Sequence, residues 1–288
     1  MFKKVKGLCD WLIETTPETI ENINKLDAEG YYNEHLDPID PNMIEPVGDN
    51  YPYIKKPLGM AIRYWLLYHL LVRPMEKREL KRMGFKVVGR ENLNGINSAI
   101  ITSNHVNKLD CSLNREALKG HKVYITAGTF NNMKGMLGDI MRCSRMMPMS
   151  ETSAGMKHFT KSINTLLKGN NYVLFYPERA EWWCYKKPRP MMDGAFHFAA
   201  KNNVPVIPSF ITFTPNGKKC ASGVDMYDMT VNILAPIYPK EGLNNKEQVK
   251  YLKEENARAW KECYEKTYGI PLVMNEPKFR DDDLAFKK

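Results

Sequence analysis

Residues 98–110 read SAIITSNHVNKLD: an apolar, β-branched run that breaks into a polar turn carrying His105 and Asp110. The run reads as a strand, and residues 109–119 beyond it read as a helix. Outward from this unit the same alternation continues. FKVVG (85–89), HKVYITAG (121–128), NYVLFY (171–176), VPVIPSFITF (204–213) and MTVNILAPI (229–237) are short runs rich in Val, Ile, Phe and Tyr, bounded by polar residues, Gly or Pro. Helical spacing covers 133–143, 153–168, 191–202 and 245–266. Strands alternating with helices predict an α/β domain with a mixed, largely parallel sheet flanked by helices. In such folds chemistry gathers where strands end and helices begin, which is where His105 and Asp110 fall.

Upstream the pattern differs. Residues 9–26 read as a helix, 27–57 carry prolines, glycines, acids and tyrosines without a period, and a second helix begins near Leu58 and runs to about Met83. The chain therefore divides into a helical N-terminal extension, 1–83, and an α/β domain, 84–288. The stretch LGMAIRYWLLYHLLV (58–72) lies between Pro57 and Pro74 and precedes Arg73, Lys77, Arg78, Lys81 and Arg82. It is shorter than the roughly 20 apolar residues a membrane span needs. Two readings fit: a helix over 58–73 lying in the head-group region with its cations on anionic lipid, or a buried core helix.

Composition narrows the partners. Of 288 residues, 42 are Lys or Arg against 33 Asp or Glu, a formal net charge of +9, so the partner is anionic. A nucleic-acid surface calls for basic residues interleaved with stacking aromatics, whereas here the cations are dispersed; no nucleic acid is expected. The six cysteines form no CxxC pair, and no cluster has metal-ligand spacing. Reduced thiols, no bound metal and a cytoplasmic compartment follow. The first ten residues lack the apolar core of a signal peptide.

His-x4-Asp is a cheap spacing, since His35 and Asp40 share it in HLDPID. That copy sits in a proline-rich stretch with no strand before it. On one continuous helix, residues five apart face different ways. With His105 in the turn and Asp110 in the first helical turn, the two side chains meet. A neutral imidazole there can take the proton of an attacking hydroxyl. A carboxylate on the other ring nitrogen fixes the tautomer and stabilises the imidazolium. The alternative is a half-buried structural histidine with Asp110 capping the helix.

NHVNKLD (104–110) resembles the NHx4D block of the glycerolipid acyltransferases, which include lysophosphatidic acid acyltransferase. FYPER (175–179) resembles that family's FPEG block, and VPVIP (204–208) its last, proline-bearing block. DGAF (193–196) is similar to its usual helix start, and FKVVGRENL (85–93) to its lead-in. The resemblance covers residues 84 to about 240. It implies His105 as general base and Asp110 as its orienting partner, with Asn104, Glu178, Arg179 and Arg145 holding the acceptor. It also implies acyl-CoA or an acyl-acyl carrier protein as co-substrate, with no bound cofactor. The implied acceptor is a lysophospholipid, first among them 1-acylglycerol-3-phosphate, giving phosphatidic acid in phospholipid biosynthesis. The enzyme would sit peripherally on an anionic membrane surface, at the cytoplasmic face of the cell membrane.

Two departures bear on the acceptor. Arg179-Ala180-Glu181 replaces the usual Gly-Thr-Arg, followed by Trp182 and Trp183, as in a bacterial branch reading PEQSxWW. The second block, MRCSRMMPMSE (141–151), has Ser150 and Glu151 where a phosphate-binding arginine is usual. Either the phosphate contact moves to Arg145, Arg179, Lys187 or Arg189, or the acceptor carries no phosphate and is another lysolipid or an aminolipid. Trp182, Trp183 and Tyr185 with Lys186 and Lys187 read either as a lipid-dipping loop or as a packed flap. The methionines from Met133 to Met156 read either as core filling or as an acyl-chain lining. A non-catalytic basic membrane-binding module is the reading from a different class.

Overall fold

The computed structural model describes residues 15–36, 40–220 and 222–278. Among these, seven strands form one sheet: β1 (Lys86–Val88), β2 (Ala99–Ser103), β3 (Val123–Ala127), β4 (Met146–Pro148), β5 (Tyr172–Phe175), β6 (Val206–Lys219) and β7 (Asp225–Ile233). Their order is β1-β7-β6-β2-β5-β3-β4, parallel throughout except for the β6–β7 hairpin. The mixed, largely parallel sheet expected from the alternation is the one found. β2 lies between β5 and β6 with all of its residues buried, which is why its sequence is apolar without alternation.

Helices cover both faces: α1 (Pro17–Glu29), α2 (Leu58–Leu67), α3 (Arg73–Arg82), α4 (Asp110–Ala117), α5 (Gly135–Cys143), α6 (Ser153–Lys168), α7 (Gly194–Asn202) and α8 (Asn245–Tyr268). Side chains of a strand alternate between faces, so Ile101 and Ile100 enter different layers. Ile101 packs with Leu113 and Ala117 of α4 and with Ile23, Leu26 and Leu80 of α1 and α3. Ile100 packs with Phe159 and Ile163 of α6, Phe196 of α7 and Leu252 and Trp260 of α8.

Three details depart from the sequence reading. β4 has no counterpart in it, because three buried residues are too few to show a period. β6 runs on to Lys219 and β7 starts at Asp225, the exposed end of a hairpin whose residues are polar. Among the described residues the first helix begins at Pro17, with the Thr16 hydroxyl accepting the Thr19 N–H at 3.2 Å, and ends at Gly30 in the left-handed region (φ 82°). Positions 9–14 of the expected helix lie outside the described residues.

Between α2 and α3 the helix passes through a π turn, Tyr68–Val72. Pro74 explains it: proline offers no N–H to the carbonyl of Leu70, and its ring crowds that carbonyl. The buried-helix reading of 58–72 does not hold. Tyr64 is buried, its hydroxyl donating to Asp139 Oδ1 at 3.2 Å and accepting from Arg142 Nε at 3.1 Å. Leu58, Ile62, Trp65, Leu66 and Leu70 are exposed. No described helix is long and apolar enough to cross a membrane.

Candidate active site

His105 leaves the C-terminal end of β2. The residue before it, Asn104, is fully buried; its amide donates to the Ile211 carbonyl at 2.9 Å and accepts the Ile211 N–H at 2.7 Å. Both ends of that side chain clamp β2 to β6, so the structure gives Asn104 a scaffold position, not the acceptor contact expected of it. The turn beyond is built by Asn107. Its side-chain oxygen accepts the Leu109 N–H at 2.9 Å, and its carbonyl accepts the Asp110 N–H at 2.9 Å. This doubles the chain back, and Asp110 Oδ2 meets His105 Nδ1 at 2.9 Å while accepting the Val106 N–H at 2.7 Å.

The other His-x4-Asp behaves differently. Asp40 caps the short turn Pro41–Met43 through the Asn42 N–H at 2.9 Å, and the His35 ring packs edge-on against Phe130, 4.9 Å between centroids.

Burial pushes the Asp110 carboxyl well above the usual carboxylate range; the backbone N–H groups of Val106 and Asn107 oppose that shift. A buried network supports the start of α4: Asn114 Nδ2 donates to Ser103 Oγ at 3.0 Å, and Ser209 Oγ donates to Asn114 Oδ1 at 2.7 Å. The Tyr176 ring stacks on the His105 imidazole at 4.2 Å and 23°. Its hydroxyl donates to Cys111 Sγ at 3.6 Å, and burial raises the phenol far above its ordinary pKa, so it stays neutral. In the sequence, Tyr176 is visible only as part of FYPER. An aromatic at a strand end is ordinary core material, and its stacking depends on where β5 lies beside β2.

Glu178 is only 1% exposed. Its Oε2 accepts the His105 backbone N–H at 3.0 Å and Arg189 Nη2 at 2.9 Å, and its Oε1 accepts the Arg189 N–H at 2.8 Å. The structure places it beneath the His105 peptide and surrounds it with protein. Arg179 follows four residues after β5, half-buried and left-handed (φ 69°). That conformation is strained for a residue with a Cβ, and such strain recurs at functional positions.

Arg145 is not brought to His105. The registers align Ile101 of β2 with Leu174, Ile125 and Met146 across three strand steps. Arg145 is thus about 14 Å sideways and about 16 Å back along the strands. Lys187 pairs with Asp27 at 2.7 Å. Arg189 is buried, and its contacts are to protein. Trp182, Trp183 and Tyr185 are buried as well, so the segment packs as a flap. It runs beside the His105 turn, with Trp182 N–H donating to the His105 carbonyl at 2.9 Å and Cys184 N–H to the Val106 carbonyl at 2.8 Å.

Residues 84–212 match the family model described as Acyltransferase. Among solved structures, the crystal structure of the 1-acyl-sn-glycerophosphate (LPA) acyltransferase PlsC from Thermotoga maritima is similar, at TM-score 0.47 and 16% identity. The match covers 72% of this chain and 95% of that one. No curated protein sequence matches the chain significantly. His105, Asp110, Tyr176, Glu178 and Arg179 all fall inside the residues that match the Acyltransferase model.

Proposed function

We propose that the chain transfers a fatty acyl group from an acyl thioester to a free hydroxyl of a lysophospholipid. The observation that carries the reading is the His105–Asp110 pair at the end of β2, 2.9 Å between Nδ1 and Oδ2. With Nδ1–H donated to the carboxylate, Nε2 is the basic ring atom. It takes the acceptor's hydroxyl proton while the oxygen attacks the thioester carbon, giving a tetrahedral adduct. As the adduct collapses, the C–S bond breaks and the imidazolium returns the proton to the leaving thiolate. The products are an ester and a free thiol. The donor, acyl-CoA or an acyl-acyl carrier protein, is a co-substrate, so the reaction calls for no resident cofactor.

1-Acylglycerol-3-phosphate is the first acceptor to test, with Arg179, the residue after the Glu178 that bonds the His105 N–H, as the cation. A phosphate-free lysolipid or an aminolipid is the second reading, favoured by the distance of Arg145 from His105. An acceptor screen with radiolabelled acyl donors separates them. Acylated product from 1-acylglycerol-3-phosphate that disappears in His105→Ala supports the first, and product only from phosphate-free acceptors supports the second. Full transfer by a folded His105→Ala variant rules out both.

The same reading puts the enzyme on an anionic membrane surface. The outward apolar face of α2 and of the π turn after it supports it: Trp65 is 60% and Leu70 72% exposed, with Lys77 and Lys81 exposed on α3. Peripheral docking at the cytoplasmic leaflet would deliver lysolipid from the membrane plane.

A further inference from the structure

We propose that Arg189 is a positioning residue for His105, acting together with Glu178; this rests on the reading of His105 as the base. Three groups hold the His105 peptide. Its N–H goes to Glu178 Oε2 at 3.0 Å, and its carbonyl accepts from Trp182 N–H at 2.9 Å and from Arg189 Nη2 at 3.1 Å. Arg189 and Glu178 are joined twice, through the Arg189 backbone N–H at 2.8 Å and through Nη2 at 2.9 Å. The pair therefore grips both ends of the one residue whose ring must reach the acceptor hydroxyl.

The two Nη groups of the guanidinium are oriented by the protein around them, while its buried Nε has no hydrogen-bond partner. Nη1 donates to the Tyr32 carbonyl at 3.0 Å, Nη2 also donates to the Ala180 carbonyl, and the group lies over the Trp182 ring, 4.7 Å from its centroid. The Arg189 side chain is 0% and the Glu178 side chain 1% exposed. Burying an ion pair gains little stability over apolar packing, and what it gives is a defined geometry. A planar fork can hold the Tyr32, His105 and Ala180 carbonyls and a carboxylate together, which the ammonium of lysine cannot. A phosphate ligand would need donors turned to solvent, and the Nη donors of this guanidinium are turned to the protein.

Arg189→Lys keeps the charge beside Glu178 and removes the fork; Glu178→Gln keeps the shape and removes the charge. Each is assayed as the full chain on anionic vesicles, with phosphate-bearing and phosphate-free acceptors, below its measured Tm. The expected result is a fall in kcat on the order of 10²-fold with KM for either acceptor unchanged, since small misplacements of a reacting group are that damaging. The double variant should be no slower than the slower single one, because both act through one peptide. The proton resonance of His105 Nδ1–H should shift in Arg189→Lys, read by NMR without turnover. Unchanged kcat overturns the proposal, as does a rise in KM confined to the phosphate-bearing acceptor, or slower turnover with an unmoved resonance. Failure of the base reading looks different: His105→Ala then stays active, while the resonance in Arg189→Lys still reports whether the ring has moved.

Discussion

At the residue scale the site sets chemistry against stability. Asp110 is held in a buried position where its charge is disfavoured. A carboxyl whose folded pKa lies above its unfolded value supports folding fully below the unfolded value, and that support fades as pH rises through the folded one. Asp110→Asn retains an oxygen for the Val106 N–H and carries no charge. Its Tm should exceed that of the wild type by a margin that widens from acid to neutral pH, measured by calorimetry. Its kcat should fall about 10²- to 10⁴-fold, because the amide no longer stabilises the imidazolium. A second test concerns the stacked ring. Tyr176→Phe should transfer acyl groups at near wild-type rate, whereas Tyr176→Leu, which removes the aromatic face from the imidazole, should lower kcat about 5-fold, the loss of about 1 kcal/mol of aromatic contact. Arg179 gives the third. Arg179→Gly relieves a left-handed φ of 69° and should raise Tm, while raising KM for a phosphate-bearing acceptor by about 10-fold or more.

At the element scale α2 is latched by its polar side and left open on its apolar side. Arg63 and Tyr64 both bond Asp139 of α5, whose other partner is the buried Arg142. Arg142 also reaches Glu45 at 3.2 Å and the Met133 carbonyl at 2.8 Å, tying the long wrap of residues 40–57 to the same point. Trp65 and Leu70 stand clear of this latch. Trp65→Glu or Leu70→Glu should leave Tm unchanged and weaken binding to anionic vesicles about 10- to 100-fold in a co-sedimentation assay, the loss of about 1.5–3 kcal/mol of apolar insertion. Equal binding by both variants would remove α2 from the docking surface.

At the scale of the whole molecule, the N-terminal segment and the His105 turn share one core. Tyr32 is buried against Trp182; its carbonyl accepts Arg189 Nη1, and its hydroxyl accepts the Asn275 N–H at 3.0 Å. Glu34 takes the Trp182 indole N–H at 2.9 Å. Contacts from residues 27–36, 178–189 and 275 thus converge behind His105. Tyr32→Ala should destabilise the fold by about 3–5 kcal/mol, as large aromatic truncations in cores do, seen as a lower urea midpoint.

By itself the sequence determined the layered α/β architecture, because strand and helix periods are local and the apolar runs around Ile100, Val173 and Ile207 show them directly. It also showed that His105 and Asp110 would meet, because a strand end followed by a helix start is a pattern within a dozen residues. The duties of the other polar side chains were decided by the tertiary structure alone. Asn104 and Glu178 read as ligand-facing from their motifs, yet one grips Ile211, 107 positions away, and the other grips the His105 peptide, 73 away. Arg145 and Arg189 read as interchangeable phosphate contacts, yet strand register sets Arg145 beside the edge strand β4, and Arg189 is buried in contacts to Glu178 and to backbone carbonyls. A hydrogen bond has no sequence period: its partner is set by which strands become neighbours, and only the folded chain contains that information.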